Sequence, residues 1–125
     1  MLSADLVELV REHGGRRTQA AACRLAVTAA GVDDPRAAQS LEALSSGGPA
    51  ESWHEVSQCL ADEYDEAAWA THDAAEYASA FRRARAAAAL AFAHADAAGD
   101  CVYEAAHAFD LPHDFAVALR AALSR

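Results

Sequence analysis

The feature that most constrains the fold of this 125-residue sequence is a segment from Ala50 to Ala98 that contains neither glycine nor proline. Its apolar residues recur at helical spacing, and as one helix it would extend about 72 Å at 1.5 Å per residue. A chain of this size cannot enclose such a rod in a compact fold. The segment is therefore predicted to fold back on itself as an antiparallel helix hairpin.

The turn of this hairpin is predicted at Thr71-His72-Asp73. Asp73 followed three residues later by Glu76 resembles a capping box, with Asp in the Ser/Thr role, which marks the start of a helix. The second arm is apolar almost all round, which indicates a central helix that the others surround. The first arm carries one apolar stripe, which is typical of core spacing and consists of Trp53, Val56, Leu60, Tyr64, Ala67 and Thr71.

Glycines, prolines and capping residues divide the rest of the chain into further helices. Leu2 is expected on the apolar face of the first of them. The predicted helices span residues 3–13, 18–30, 35–45, 50–71, 73–98, 100–109 and 112–124. With seven Val and no Ile, the sequence argues against a sheet. It predicts a single all-α domain over residues 1–125, a compact bundle of six or seven helices around a central Ala-rich helix from about Asp73 to Ala98.

Composition narrows the possible partners. Ten Arg against 19 Asp and Glu give a formal net charge of −9, so the molecule as a whole would repel a nucleic-acid backbone. The sequence contains no Lys, Ile or Asn, residues that share AT-rich codons, which indicates a high-GC bacterial genome such as that of an actinomycete. Much of the alanine is then expected to reflect codon bias.

Cysteine usage and the N-terminal residues predict a cytoplasmic protein. Cys23, Cys59 and Cys101 lie far apart without a CxxC pair, so we expect reduced, mostly buried thiols. Asp5 and Glu8 interrupt the N-terminal apolar residues, which is not the pattern of a signal peptide. The longest uncharged stretch is well short of the roughly 18 residues that a membrane span needs, so no membrane association is expected.

On the side opposite its apolar stripe, the first arm carries four carboxylates and one tryptophan in a line along the helix. The residues on this line are Glu51, Glu55, Asp62, Glu66 and Trp69. Like charges four residues apart cost about 0.2–0.5 kcal/mol each, so helix stability does not account for them. Two interpretations stay open: a third helix of the same chain covers Trp69, or the line binds another molecule, either a basic protein or a second copy of this chain.

The arginines of the second arm offer an intramolecular partner for part of this line. Arg82, Arg83 and Arg85 are expected level with the segment from Asp62 to Glu66. Arg85 falls beside Phe81 and Phe92 on the inward stripe. It is therefore predicted to be largely buried and paired with Asp62 or Glu63.

A metal site is the alternative interpretation of the same helices. Glu51 with His54 and Glu104 with His107 form two ExxH steps, which are part of the ligand set of ferritin-like di-metal bundles. Such a site would hold a divalent transition metal. In the leading interpretation no cofactor is expected, and the sequence contains neither a phosphate-binding glycine loop nor an evident catalytic arrangement, so the chain is predicted not to be an enzyme.

Short stretches carry a family resemblance. Asp34-Pro35-Arg36, Leu41-Glu42-Ala43 and Ala84-Arg85-Ala86-Ala87 resemble small immunity proteins of actinomycetes. That resemblance implies a protein that binds and regulates a protein partner. The acidic line predicts a non-enzymatic interaction module that binds a protein partner through this helix face, immunity-like or regulator-like.

Overall fold

The computed structural model describes residues 3–125, and this part of the chain forms seven α-helices with no strand. The helices are α1 (Ala4–His13), α2 (Gly15–Ala30), α3 (Pro35–Gly47), α4 (Glu51–Ala70), α5 (Ala74–His94), α6 (Ala98–His107) and α7 (Pro112–Leu123). The predicted all-α bundle is confirmed. Leu2, expected on the first helix, lies outside the described residues. None of the helices in residues 3–125 is both long and apolar enough to cross a membrane.

The predicted hairpin is the α4–α5 pair, which turns at residues 71–73. Asp73 caps α5 as expected, since its Oδ1 accepts a hydrogen bond from the Glu76 N–H at 2.9 Å. In a capping box the Glu76 carboxylate would accept a hydrogen bond from the N-cap N–H, and here the Thr71 hydroxyl bridges these two groups. The Thr71 hydroxyl donates to the Glu76 carboxylate at 2.8 Å and accepts from the Asp73 N–H at 3.2 Å. The turn is thus closed by side chains that lie within five residues of one another.

Helix α5 is the central helix, as predicted: it packs most extensively against α4 and also contacts α2, α3 and α6. It is buried on every side over residues 86–91, in its C-terminal half. The buried residues are Ala80, Ala84, Ala86, Ala87, Ala88, Ala89, Leu90, Ala91, Ala93 and His94. Because alanine projects only a methyl group, four helices can approach this one closely. Alanine in α5 therefore has a packing role that the codon-bias interpretation did not include.

The central helix ends at His94, four residues before its predicted end at about Ala98. The Ala97 N–H donates to the Phe92 carbonyl at 2.9 Å and the Asp96 N–H to the Ala93 carbonyl at 3.0 Å. This is the Schellman pattern, and Asp96, with a φ of 55°, occupies the left-handed position that glycine usually takes. Gly99, the expected terminator, lies inside α6.

The predicted bounds of three other helices also differ by two or three residues. Helix α2 begins at Gly15, immediately after Gly14 ends α1, where the sequence predicted a start at residue 18. Helix α3 continues to Gly47 and α6 spans 98–107 in place of 100–109.

The apolar stripe predicted on α4 is displaced by about one residue. The helix buries Ser57, Leu60, Ala61 and Ala68, whereas Ala67 is exposed. Three of these buried residues, Ser57, Ala61 and Ala68, are small, and the large side chains Trp53, Val56 and Tyr64 of the predicted stripe stay partly exposed.

Candidate functional site

The acidic line on α4 is fully on the surface. Its five residues, Glu51, Glu55, Asp62, Glu66 and Trp69, are all exposed, and we call them the acidic face of α4. Trp69 is 83% exposed, so no other helix of residues 3–125 covers it. Of the two interpretations of this indole, burial by the same chain is therefore wrong.

The carboxylates of the acidic face have no cationic partner within the part of the chain that the structure describes. None of the four forms a salt bridge there. Asp62 accepts only a hydrogen bond from the Gln58 amide at 3.1 Å. The expected neutralisation of Asp62 and Glu66 by the arginines of α5 is wrong, because Arg82 pairs with Asp110.

Arg85 has partners other than the predicted ones. It donates through one Nη to both Asp65 oxygens at 2.9 and 3.1 Å and through the other to Glu104 at 2.8 Å. Its side chain keeps 21% exposure and lies 5.3 Å from the Phe81 ring centroid, so it is half-buried. Pairing with Asp62 or Glu63 is wrong because α4 turns Asp65 toward α5, while Glu63 pairs with Arg36 at 2.6 Å.

A buried polar cluster joins α3, α4 and α5 near the start of the acidic face. The Ser40 and Ser57 hydroxyls lie 2.7 Å apart. His94, 4% exposed, accepts the Ala50 N–H on Nδ1 at 3.1 Å, so its Nε2 carries the proton and donates to the Ser40 carbonyl at 2.9 Å. Both ring nitrogens are thus occupied in the neutral form. The His94 ring thus links the start of α4 to α3.

This arrangement predicts a pH dependence of stability. Burial lowers the pKa of His94 from its ordinary value of 6.5, so the unfolded chain takes up this proton at a higher pH than the native chain. The contribution of neutral His94 to stability is therefore fully present above about pH 6.5. It is lost as the pH falls toward the lower pKa of His94 in the native state. We expect a loss of up to about 1.4 kcal/mol per pH unit in urea unfolding between pH 7 and 5.

The His94→Gln variant is the control for this prediction. Hydrogen bonds from Arg36 lower the pKa of Asp34 and Glu63 below their ordinary 3.8 and 4.5, so their contributions are lost only in more acidic solution. The variant should lose less stability than the wild type between pH 7 and 5. Identical losses in the two proteins would show that His94 does not cause the dependence.

The alternative metal ligands are engaged in separate contacts. Glu104 is paired with Arg85, while His54 Nδ1 lies 2.6 Å from the Ala91 carbonyl and His107 Nδ1 lies 2.8 Å from the Tyr103 carbonyl. Glu51 is exposed on the acidic face. Within residues 3–125, no group of three or more His, Cys, Asp or Glu side chains is placed to hold a metal ion. The structure thus offers no geometry in favour of this hypothesis.

A groove of about 530 Å³ that the sequence does not indicate lies between α1, α6 and α7. Its lining includes Tyr103, His107 and His113. Leu111, in the connection before α7, is exposed. No local motif indicates such a groove, because its walls come from opposite ends of the chain.

Comparisons of the chain with protein-family models, with curated proteins and with solved structures found no match. The chemistry available on the acidic face follows from its side chains. Carboxylates accept charge-assisted hydrogen bonds from Arg and Lys, and an exposed indole binds a cation or an apolar side chain over its ring. The arrangement is suited to binding a cationic surface.

Proposed function

We propose that this protein is a non-enzymatic interaction module that binds a basic protein partner through the acidic face of α4. The observation that carries the proposal is Trp69, which stays 83% exposed beside carboxylates that have no ion pair within residues 3–125. Tryptophan is enriched among the residues that dominate binding energy at protein interfaces. An indole exposed to water among like charges stabilises neither the helix nor the core. We therefore infer that Trp69 contacts a binding partner.

Charge complementarity favours a basic protein over a second copy of this chain. In a symmetric dimer built on this face, the same carboxylates would oppose one another, and like charges placed opposite each other cost binding energy. The net charge of −9 adds long-range repulsion between copies and attraction for a basic partner. An immunity protein or a regulator that neutralises a basic partner fits this chemistry. The proposal includes a cytoplasmic location, which the three unbridged cysteines support.

Trp69→Ala should leave the free energy of unfolding within about 0.5 kcal/mol of the wild type, because the side chain has little protein contact to lose. Trp53→Ala on the same helix is the matched control, and we expect it to lose clearly more because this indole is partly buried. Urea unfolding followed by circular dichroism measures both. A large loss for Trp69→Ala would mean that the indole stabilises the monomer and would remove the main support for the proposal.

The binding test compares capture of proteins from the source cell by immobilised variants. A genuine partner should be basic, retained by the wild type, and lost by Trp69→Ala and by a Glu51→Gln, Glu55→Gln, Glu66→Gln triple variant. Glu12→Gln with Val117→Ala, both at exposed positions on other helices, is the control and should retain it. If every variant captures the same proteins, the proposal is wrong. Self-association that depends on Trp69 would favour the dimer instead.

A further inference from the structure

Two of the three cysteines face each other inside the core. Cys23 on α2 and Cys101 on α6 are both 0% exposed, and their Sγ atoms lie 3.6 Å apart. A disulfide bond is about 2.05 Å long, so the two sulfur atoms must approach each other by about 1.5 Å to bond. They are separated by 78 positions in the sequence, so only the fold brings them together.

The two helices that carry these thiols are closely packed. A Cβ built at Gly15 of α2 would lie 3.7 Å from the Cβ of Ala98 at the start of α6. Three small residues close to the thiols along the two helices, Ala22, Ala26 and Ala105, are fully buried.

We propose that Cys23 and Cys101 form a specific disulfide site that covalently joins α2 to α6 under thiol–disulfide oxidation. One thiolate attacks a small-molecule disulfide, which forms a mixed disulfide and releases one thiol. The second cysteine then attacks the mixed disulfide at the protein sulfur, which forms the Cys23–Cys101 bond and releases the second thiol. The protein loses two electrons and two thiol protons. The small-molecule disulfide takes up these electrons and protons and becomes two thiols. This inference does not depend on the proposed partner.

Burial determines when the reaction occurs. The hydrogen bond with Cys23 and burial in the core raise the pKa of the Cys101 thiol, so little thiolate forms in the folded chain. The bond therefore forms as the chain folds or when α6 opens, and once formed it is shielded from reductants. In a reducing cytoplasm the pair stays a dithiol. Cys59 is exposed and reacts in the folded chain without forming this link.

Refolding in a redox buffer tests the proposal. The reduced chain is unfolded in guanidinium, refolded in a buffer of oxidised and reduced glutathione, alkylated and digested with trypsin. Cleavage after arginine places the three cysteines in separate peptides, covering residues 18–24, 37–82 and 86–120. We expect mass spectrometry to show the first peptide linked to the third, with Cys59 alkylated or bound to glutathione.

Two variants and one stability measurement complete the test. Cys59→Ser should keep the link, and Cys23→Ser should abolish it. The linked wild type should keep its helical circular dichroism and unfold at a higher urea concentration than the same sample after reduction, because the cross-link restricts the unfolded chain. The proposal is overturned if Cys59 joins the other two in comparable yield, if no intramolecular link forms, or if the linked chain unfolds at a lower urea concentration.

Discussion

Replacing Arg85 by alanine is expected to lower the free energy of unfolding by about 3 kcal/mol. The guanidinium is the only salt-bridge partner of Asp65 and Glu104 within residues 3–125, and the Glu104 side chain is 16% exposed. Removing the cation leaves the largely buried Glu104 carboxylate and the 38% exposed Asp65 carboxylate without their shared ion pair. We place the loss at the lower end for buried ion pairs because Arg85 itself keeps some contact with water.

Arg120→Ala provides the comparison for this measurement. Arg120 lies 4.0 Å from Asp5 with both side chains exposed, and such surface pairs contribute about 0–1 kcal/mol. Adding Glu104→Gln to Arg85→Ala should recover part of the loss, because it removes one of the uncompensated charges. Equal unfolding midpoints for Arg85→Ala and Arg120→Ala would contradict the prediction.

Ala87→Leu is expected to destabilise the protein by about 1–3 kcal/mol, or to disrupt the packing of the bundle. Ala87 is 0% exposed in the middle of α5, where close-packed neighbours leave no room for three further carbon atoms. Leucine has nearly the same helix propensity as alanine, so the loss reports packing alone.

Ala67→Leu makes the same chemical change at an exposed position on α4, where we expect a change within about 0.5 kcal/mol. Thermal and urea unfolding of the two variants measure both changes in stability. If Ala87→Leu were as stable as Ala67→Leu, alanine in α5 would reflect codon usage and not a spacing requirement.

The parts of the fold that were predictable from sequence depend on residues close together in the chain. The Asp73 cap needs only Glu76, and the central position of α5 follows from its periodicity. The end of α5 was not predictable in this way. Asp96 holds a left-handed conformation there, and its carboxylate accepts a hydrogen bond from the Gln19 amide of α2 at 3.0 Å, a contact between residues 77 positions apart.

The same distinction applies to the candidate site. Helical periodicity alone was enough to align the acidic face, because one straight helix carries all of it. The partners of Arg85 were missed for two reasons. Glu104 belongs to α6, whose docking depends on the whole bundle, and a shift of the buried face of α4 by one residue brings Asp65 to the arginine in place of Asp62.

The alanine surface of α5 has a consequence for the order of folding. The α4–α5 hairpin joins neighbouring segments, so its contacts are local and it can form early. Helix α2 precedes the hairpin in the sequence and α6 follows it, and both must then dock onto it. Until they do, the hairpin presents to solvent mainly methyl groups and few large apolar side chains, and a surface of that kind offers little hydrophobic area for aggregation. A hairpin that forms first would therefore expose little apolar surface through which to associate with other chains.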